Sequence, residues 1–399
     1  MRRLMAILLA LMMPLWALAE PAAVSGDAAA ALKAAFQRYS TLGACVAVFQ
    51  NGEITHVYCY GTERIAGAEI TPDTCFQVGS ISKMVANIGL MQLLTEQGIG
   101  LDTEIGAVLG MAVRNPAYPD TPVTLRQLMT HTASLRDGGG YQSALSGEDV
   151  TLESLFGPRA DTTFFSGYEP GLRREYSNFG GGLIGSLIEK LSGQTVDDYM
   201  QQQVFGPLDI TAAFQPTLLD ESVSLAALYH MPERRIAKDL RDGPAPVTEP
   251  DYQRHYTYTA GKLTISAPDL CKLLIALCDG GMYRDVRILK ESAVGEITTR
   301  QNHCGSVACE SGNGLFMNII TDDQVQGRTM YGHGGKANGM LCAAYFDPAD
   351  RTGVVMLTNG CRNNSVYNGV GMLGRVVMRI CYDQILADGE EVKDPFEVD

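Results

Sequence analysis

A single hairpin limits the folds open to this chain. Ala44 to Gln50 and Glu53 to Tyr60 alternate in polarity about an Asn51-Gly52 dipeptide, a strong short-range signal for two antiparallel strands. Two strands cannot bury their faces alone. A long helical stretch follows, and strand-like runs return in the last quarter, at Gly314 to Thr321, Arg328 to Gly332, Met340 to Phe346 and Gly353 to Thr358. The hairpin is expected to close one antiparallel sheet with those distant strands. An α+β fold follows, with an amphipathic helix at 27–39 and a closing helix at 366–386 against the sheet. The α/β lobe would be discontinuous, 20–82 with 310–386. A mainly helical lobe over 83–309 is inserted, and 387–399 forms an acidic tail.

Within the helical stretch, Leu125 to Met129, Gly181 to Leu191, Thr195 to Val204 and Ala267 to Asp279 read as helices. Gly138-Gly139-Gly140 reads as a flexible joint and Pro232 to Pro250 as a surface excursion. From Ser82 to Gln97 the apolar residues Met84, Ile88, Met91 and Leu94 recur at helical spacing, and Gly98 supplies the stop. Ser80 therefore stands at a helix N-terminus with Lys83 one turn on, on the same side. A serine hydroxyl becomes a nucleophile when a base takes its proton, and backbone N–H groups at a helix N-terminus can hold a developing oxyanion. Alone, so short a pair reads sooner as an N-cap serine followed by a solvated lysine.

The first residues carry a different signal. Arg2-Arg3, an apolar run from Ile7 to Leu15 and Ala17-Leu18-Ala19 form a secretory signal peptide over 1–19, its apolar run too short to span a bilayer. The protein is thus expected to be periplasmic or secreted, with no membrane span. The formal charge of −14 becomes −16 without Arg2 and Arg3, which excludes nucleic acid as a partner. A small molecule or peptide is the expected substrate, and a monomer the expected state. Ten cysteines remain in the mature chain, and in an exported protein they point to disulfides. Cys45 and Cys59 flank the hairpin: a three-residue loop would set them opposite each other, a two-residue loop on opposite faces. Cys304 and Cys309 could close a small loop. No Cys-x-x-Cys pair occurs, and His56, His230, His255 and His303 are scattered, so neither metal nor cofactor is expected. His131, in a Thr-His-Thr setting, reads as loop packing, and no Gly-x-Ser-x-Gly elbow exists.

Two further motifs follow in order: Tyr176-Ser177-Asn178, after Glu169-Pro170-Gly171, and His333-Gly334-Gly335 at the end of an expected strand. With Ser80-x-x-Lys83, this set resembles the serine β-lactamase and penicillin-binding protein superfamily, in the branch of class C β-lactamases, D,D-peptidases and related esterases. LMTHTASL at 128–135, TAGKLTI at 259–265 and YGHGGKANG at 331–339 add to the likeness, which covers about 27–386. The resemblance implies a β-lactamase/transpeptidase-like fold. It implies Ser80 as the acylated nucleophile, Lys83 and Tyr176 sharing the base role, and Asn178 bonding Lys83 and the substrate. It also implies an oxyanion hole from the N–H groups of Ser80 and Lys336. β-Lactamases of this family usually have Lys-Thr-Gly where this chain has His333-Gly334-Gly335, which removes a cation and a hydroxyl that help hold a β-lactam carboxylate. Peptidase, amidase or esterase activity therefore ranks above class C-type β-lactam hydrolysis. A penicillin- or peptidoglycan-binding module without turnover is a further alternative.

Overall fold

The computed structural model describes residues 20–157, 164–301, 312–321, 325, 327–362, 366–367 and 370–387. The expected signal peptide, Cys304, Cys309 and nearly all of the acidic tail lie outside these residues. The described chain builds eight strands into one sheet: β1 (Ala22–Ala23), β2 (Gly43–Gln50), β3 (Glu53–Gly61), β4 (Gly312–Asn313), β5 (Asn318–Thr321), β6 (Thr329–Ala337), β7 (Met340–Asp347) and β8 (Thr352–Thr358). Their order is β1-β3-β2-β8-β7-β6-β5-β4, so the early hairpin does close the late meander. The join is the antiparallel pair β2–β8, in register from Ala44 opposite Thr358 to Gln50 opposite Thr352.

Side-chain alternation divides the sheet between two apolar layers. From β2, Ala44, Val46 and Val48 enter one core with Tyr345, Val354 and Met356, beneath helices α1 (Gly26–Arg38) and α5 (Met372–Gln384). Cys45, Ala47 and Phe49 point the other way, to a larger core shared with α2 (Ile81–Glu96), α3 (Asn178–Ser192) and α4 (Ala267–Cys278). α4, in the stretch read as the helical lobe, lies on β2, β7 and β8. Among the described residues no helix is long and apolar enough to cross a membrane.

Several local expectations change. α2 has no polar face: Val85, Ala86, Leu90 and Leu93 are buried along with the expected stripe, because α3 and the strands β6 and β7 all pack on it. The closing helix begins at Met372, after short paired strands at Val366–Tyr367 and Val370–Gly371; the intervening Asn368-Gly369 carries a turn signal that the helical reading passed over. The glycine joint opens a helix, Gly139–Leu145. The excursion at 232–250 contains the second strand of a hairpin, Leu228–His230 with Arg235–Lys238. The Asn51-Gly52 turn has two residues, yet Cys45 faces Cys59, because an irregularity between Val48 and Phe49 shifts the register by one. The two sulfurs stand 3.8 Å apart as free thiols.

β6 passes close to the segment entering α2. A Cβ on Gly335 would lie 2.0 Å from the Val78 carbonyl oxygen, and one on Gly79 3.1 Å from the Lys336 nitrogen. Backbone meets backbone there, so neither neighbour can yield cheaply. Gly335→Ala is expected to destabilise the protein by roughly 2 kcal/mol, lowering the melting temperature by a few degrees. Calorimetry giving the wild-type value would contradict this packing.

Candidate active site

Ser80 stands where β6 and the start of α2 converge. It occupies the N-cap position, but its side chain makes no capping hydrogen bond. The hydroxyl is held by two other groups instead: Tyr176 OH donates to Oγ at 2.7 Å, and Lys83 Nζ lies 3.2 Å from the same oxygen. The capping alternative is thereby set aside.

Lys83 is fully buried. Its stem runs against α3, where a Cβ on Gly181 would lie 2.3 Å from Lys83 Cε; the glycine-rich start of that helix makes room for the lysine. Nζ donates to the Ala260 carbonyl and, at 2.9 Å, to Asn178 Oδ1. Burial lowers its pKa to about 7, against a smaller upward pull from the Asp137 charge. The ammonium and the free amine are thus both well populated near neutrality.

The Tyr176-Ser177-Asn178 motif sits at the entry to α3. Ser177 caps the helix, its Oγ accepting from Gly180 N–H at 2.9 Å. Asp137 fastens this turn: one carboxylate oxygen accepts from Phe179 N–H at 2.9 Å, the other from Asn178 Nδ2 at 2.7 Å. With its amide nitrogen so engaged, Asn178 must turn Oδ1 to Lys83. Tyr176 is 37% exposed at the cleft, with its hydroxyl turned inward to Ser80. Desolvation pushes its pKa up to about 12, while the Ser80 hydrogen bond and the Arg174 charge pull the other way.

His131 packs beside the site. Its ring lies 4.4 Å from that of Tyr176, centroid to centroid, and 5.0 Å from Phe316. Ser177 N–H points at its Nδ1 from 3.3 Å, so the proton of the neutral ring resides on Nε2. Burial holds its pKa well below the usual histidine range. His333 lies mid-strand in β6, not at a strand end, and its Nδ1–H donates to the Gly334 carbonyl at 2.6 Å. Burial lowers it to about 4, so it carries no charge at pH 7. Gly334 and Gly335 complete the buried floor, and Lys336 is exposed at the next position, its backbone nitrogen beside Gly79.

Every residue expected at the site is therefore found here, together with three that sequence reading passed over: Asp137, Ala260 and Arg174. Asp137 precedes the glycine run read as a joint. Ala260 acts through its carbonyl, which no side-chain pattern reveals. Arg174 stands between the Pro170-Gly171 turn and Tyr176. Among the described residues no group of three or more metal-ligating side chains gathers.

Comparison with known proteins identifies the family and the fold. The β-lactamase family model matches residues 28–372. Penicillin-binding protein 4 of Amycolatopsis lactamdurans is 28% identical over 325 residues, covering 80% of this chain and 81% of its own. The octameric penicillin-binding protein homologue from Pyrococcus abyssi superposes with a TM-score of 0.69 at 21% identity, over 90% of this chain and 77% of that one. D-amino acid amidase from Ochrobactrum anthropi SV3 gives a TM-score of 0.66 at 20% identity, over 90% and 99%. The chain belongs to the β-lactamase family, within the superfamily of serine β-lactamases and penicillin-binding proteins, and is a serine hydrolase.

Proposed function

We propose that this hydrolase is exported and cleaves small amides, esters or D-amino-acid peptides through an acyl-enzyme on Ser80. The observation carrying this reading is the Ser80 hydroxyl held between an amine with a pKa about 7 and a phenol that donates to it. In its neutral form Lys83 keeps two N–H bonds, to Ala260 O and Asn178 Oδ1, and turns a lone pair to Ser80. The amine takes the Ser80 proton as Oγ attacks the substrate carbonyl. The N–H groups of Ser80 and Lys336 receive the oxyanion. Tyr176, un-ionised at neutral pH, gives its proton to the leaving group as the bond to the carbonyl carbon breaks, and the Lys83 proton restores it. Water then repeats the sequence on the acyl-enzyme.

The substrate class rests on His333 and on relatives. A neutral His333 beside Gly334 offers neither charge nor hydroxyl to a substrate carboxylate. The D-aminopeptidases of Brucella, 27% identical over 186 residues that cover 44% of this chain, support a D-amino-acid substrate. Export rests on the signal-peptide pattern, and in an oxidising compartment the facing thiols of Cys45 and Cys59 would pair. A monomer is the proposed active unit, whereas the homologue of this fold from Pyrococcus abyssi is octameric.

A fluorophosphonate probe is expected to label Ser80, and Ser80→Ala to abolish both labelling and turnover of a panel of p-nitrophenyl esters, D-amino-acid amides, D-Ala-D-Ala peptides and nitrocefin. Labelling elsewhere, or activity surviving in Ser80→Ala, rejects the scheme; efficient nitrocefin turnover would favour the β-lactamase alternative. Labelling without turnover of any substrate would favour a binding module.

The pH dependence follows from the lysine. Only the amine form has a lone pair, so kcat/KM is expected to rise with pH through about 7. Asp137→Ala removes the charge that pulls the Lys83 pKa up, so its rising limb should move to lower pH. Its plateau should fall by about ten-fold as Asn178 loses its anchor. A limb that stays in place, or moves to higher pH, would refute this assignment.

A further inference from the structure

Among the described residues, no hydrogen-bond partner stands against the Arg174 Nε. The side chain is partly buried, and that nitrogen is sealed from water. Burial lowers its pKa, and the one neighbour whose charge favours the guanidinium is Tyr176 in its ionised form. Such a group is costly to keep, and comparable cations persist where charge develops during a reaction.

The placement of Arg174 restricts which anion it can meet. With His131, Phe316, Asn318 and His333 it lines a crevice too narrow for a water molecule, so on that side the guanidinium meets no substrate carboxylate. Both histidines border Tyr176, with ring centroids 4.4 Å and 6.4 Å from its own. Both are neutral at pH 7 and neither supplies nor cancels charge. Lys83 Nζ lies 5.0 Å from the centroid of the tyrosine ring and alternates between charged and neutral. Asp137 is the one acid acting on the phenol, and it opposes ionisation. Arg174 is thus the permanent positive charge in this surround, and the Tyr176 oxygen is the nearby atom able to become negative.

We propose that Arg174 is a positioning residue acting through Tyr176: its fixed charge stabilises the phenolate formed when Tyr176 hands its proton to the leaving group. The inference rests on the acyl-enzyme scheme above. In the step concerned, the bond from the carbonyl carbon to the leaving oxygen or nitrogen breaks, and its electron pair takes the Tyr176 proton. The phenolate so formed is then neutralised by the proton that Lys83 removed from Ser80. No proton is gained or lost over the step.

The test is the dependence of kcat/KM, which reports acylation, on the basicity of the leaving group. Phenyl esters of one acyl group, graded from p-nitrophenyl to unsubstituted phenyl and on to an alkyl ester, would be compared in wild type, Arg174→Gln, Arg174→Lys and Tyr176→Phe. Melting temperatures would be recorded alongside. p-Nitrophenolate departs without a proton, so Arg174→Gln should stay within about two-fold of wild type on that ester. It should lose about ten-fold or more on the alkyl ester, where general-acid help counts most. Tyr176→Phe should show the same steepening, and Arg174→Lys, which keeps the charge, should restore most of the loss. Parallel lines for wild type and Arg174→Gln, whether through equal loss on every ester or through none, would overturn the inference. The scheme beneath it fails separately, if p-nitrophenyl ester turnover survives Ser80→Ala.

Discussion

Lys83 lies between α2 and α3 with its stem against Gly181 and its nitrogen among Ala260 O, Asn178 Oδ1 and Ser80 Oγ. Two of these partners can only accept a hydrogen bond, and the third is a hydroxyl that can donate or accept. An ammonium satisfies all three as donor. A neutral amine satisfies the first two as donor and the hydroxyl as acceptor. The proton can therefore pass between Ser80 and Lys83 without any heavy atom moving. Burial places the pKa near the point where both states are populated. Were the amine solvated it would stay an ammonium at pH 7, and the proposed scheme would lack its base.

That burial needs parts of the chain that lie far apart in sequence. Ser80 and Lys83 belong to α2, Asn178 to the first turn of α3, Ala260 to the segment ahead of α4, and the Lys336 nitrogen to β6. The sheet fixes the last of these, because β6 is held through β7 and β8 to β2. Glycine at 335 lets that strand lie against Val78 with no side chain between them. The approach of α3 is set by its own glycines and by Asp137, which ties the helix entry to the preceding loop. Sheet closure thus supplies one wall of the cleft and helix packing the other.

Much of this could be read from the chain because it depends on local chemistry. The Asn51-Gly52 turn, the amphipathic face of α1 and the helical spacing after Ser80 are short-range patterns, and the sheet follows from the hairpin's need for partners. What escaped was of another kind. Asp137 is one acid among many in sequence, and only the folded entry to α3 aims it at Asn178. Ala260 contributes a backbone carbonyl, so its side chain says nothing. Cys45 and Cys59 face each other through a register shift that no hairpin rule places. The closing helix is shorter than its pattern suggests, because Val366 to Met372 is apolar enough to pass for a helical turn although Asn368-Gly369 interrupts it.

The arrangement of charge also bears on which acyl donors suit the proposed reaction. His333 and His131 are buried and neutral at pH 7, and Arg174 lines a crevice too narrow for water. The Lys83 charge is shared out to Asn178, Ala260 and Ser80 before any substrate arrives. Lys336 is exposed near the end of β6, where water and salt weaken its hold on an anion. A carboxylate on the substrate would therefore exchange a good aqueous environment for a weak partner. An uncharged acyl donor gives up no such solvation, so the discrimination comes from what burial has neutralised as much as from what the site offers.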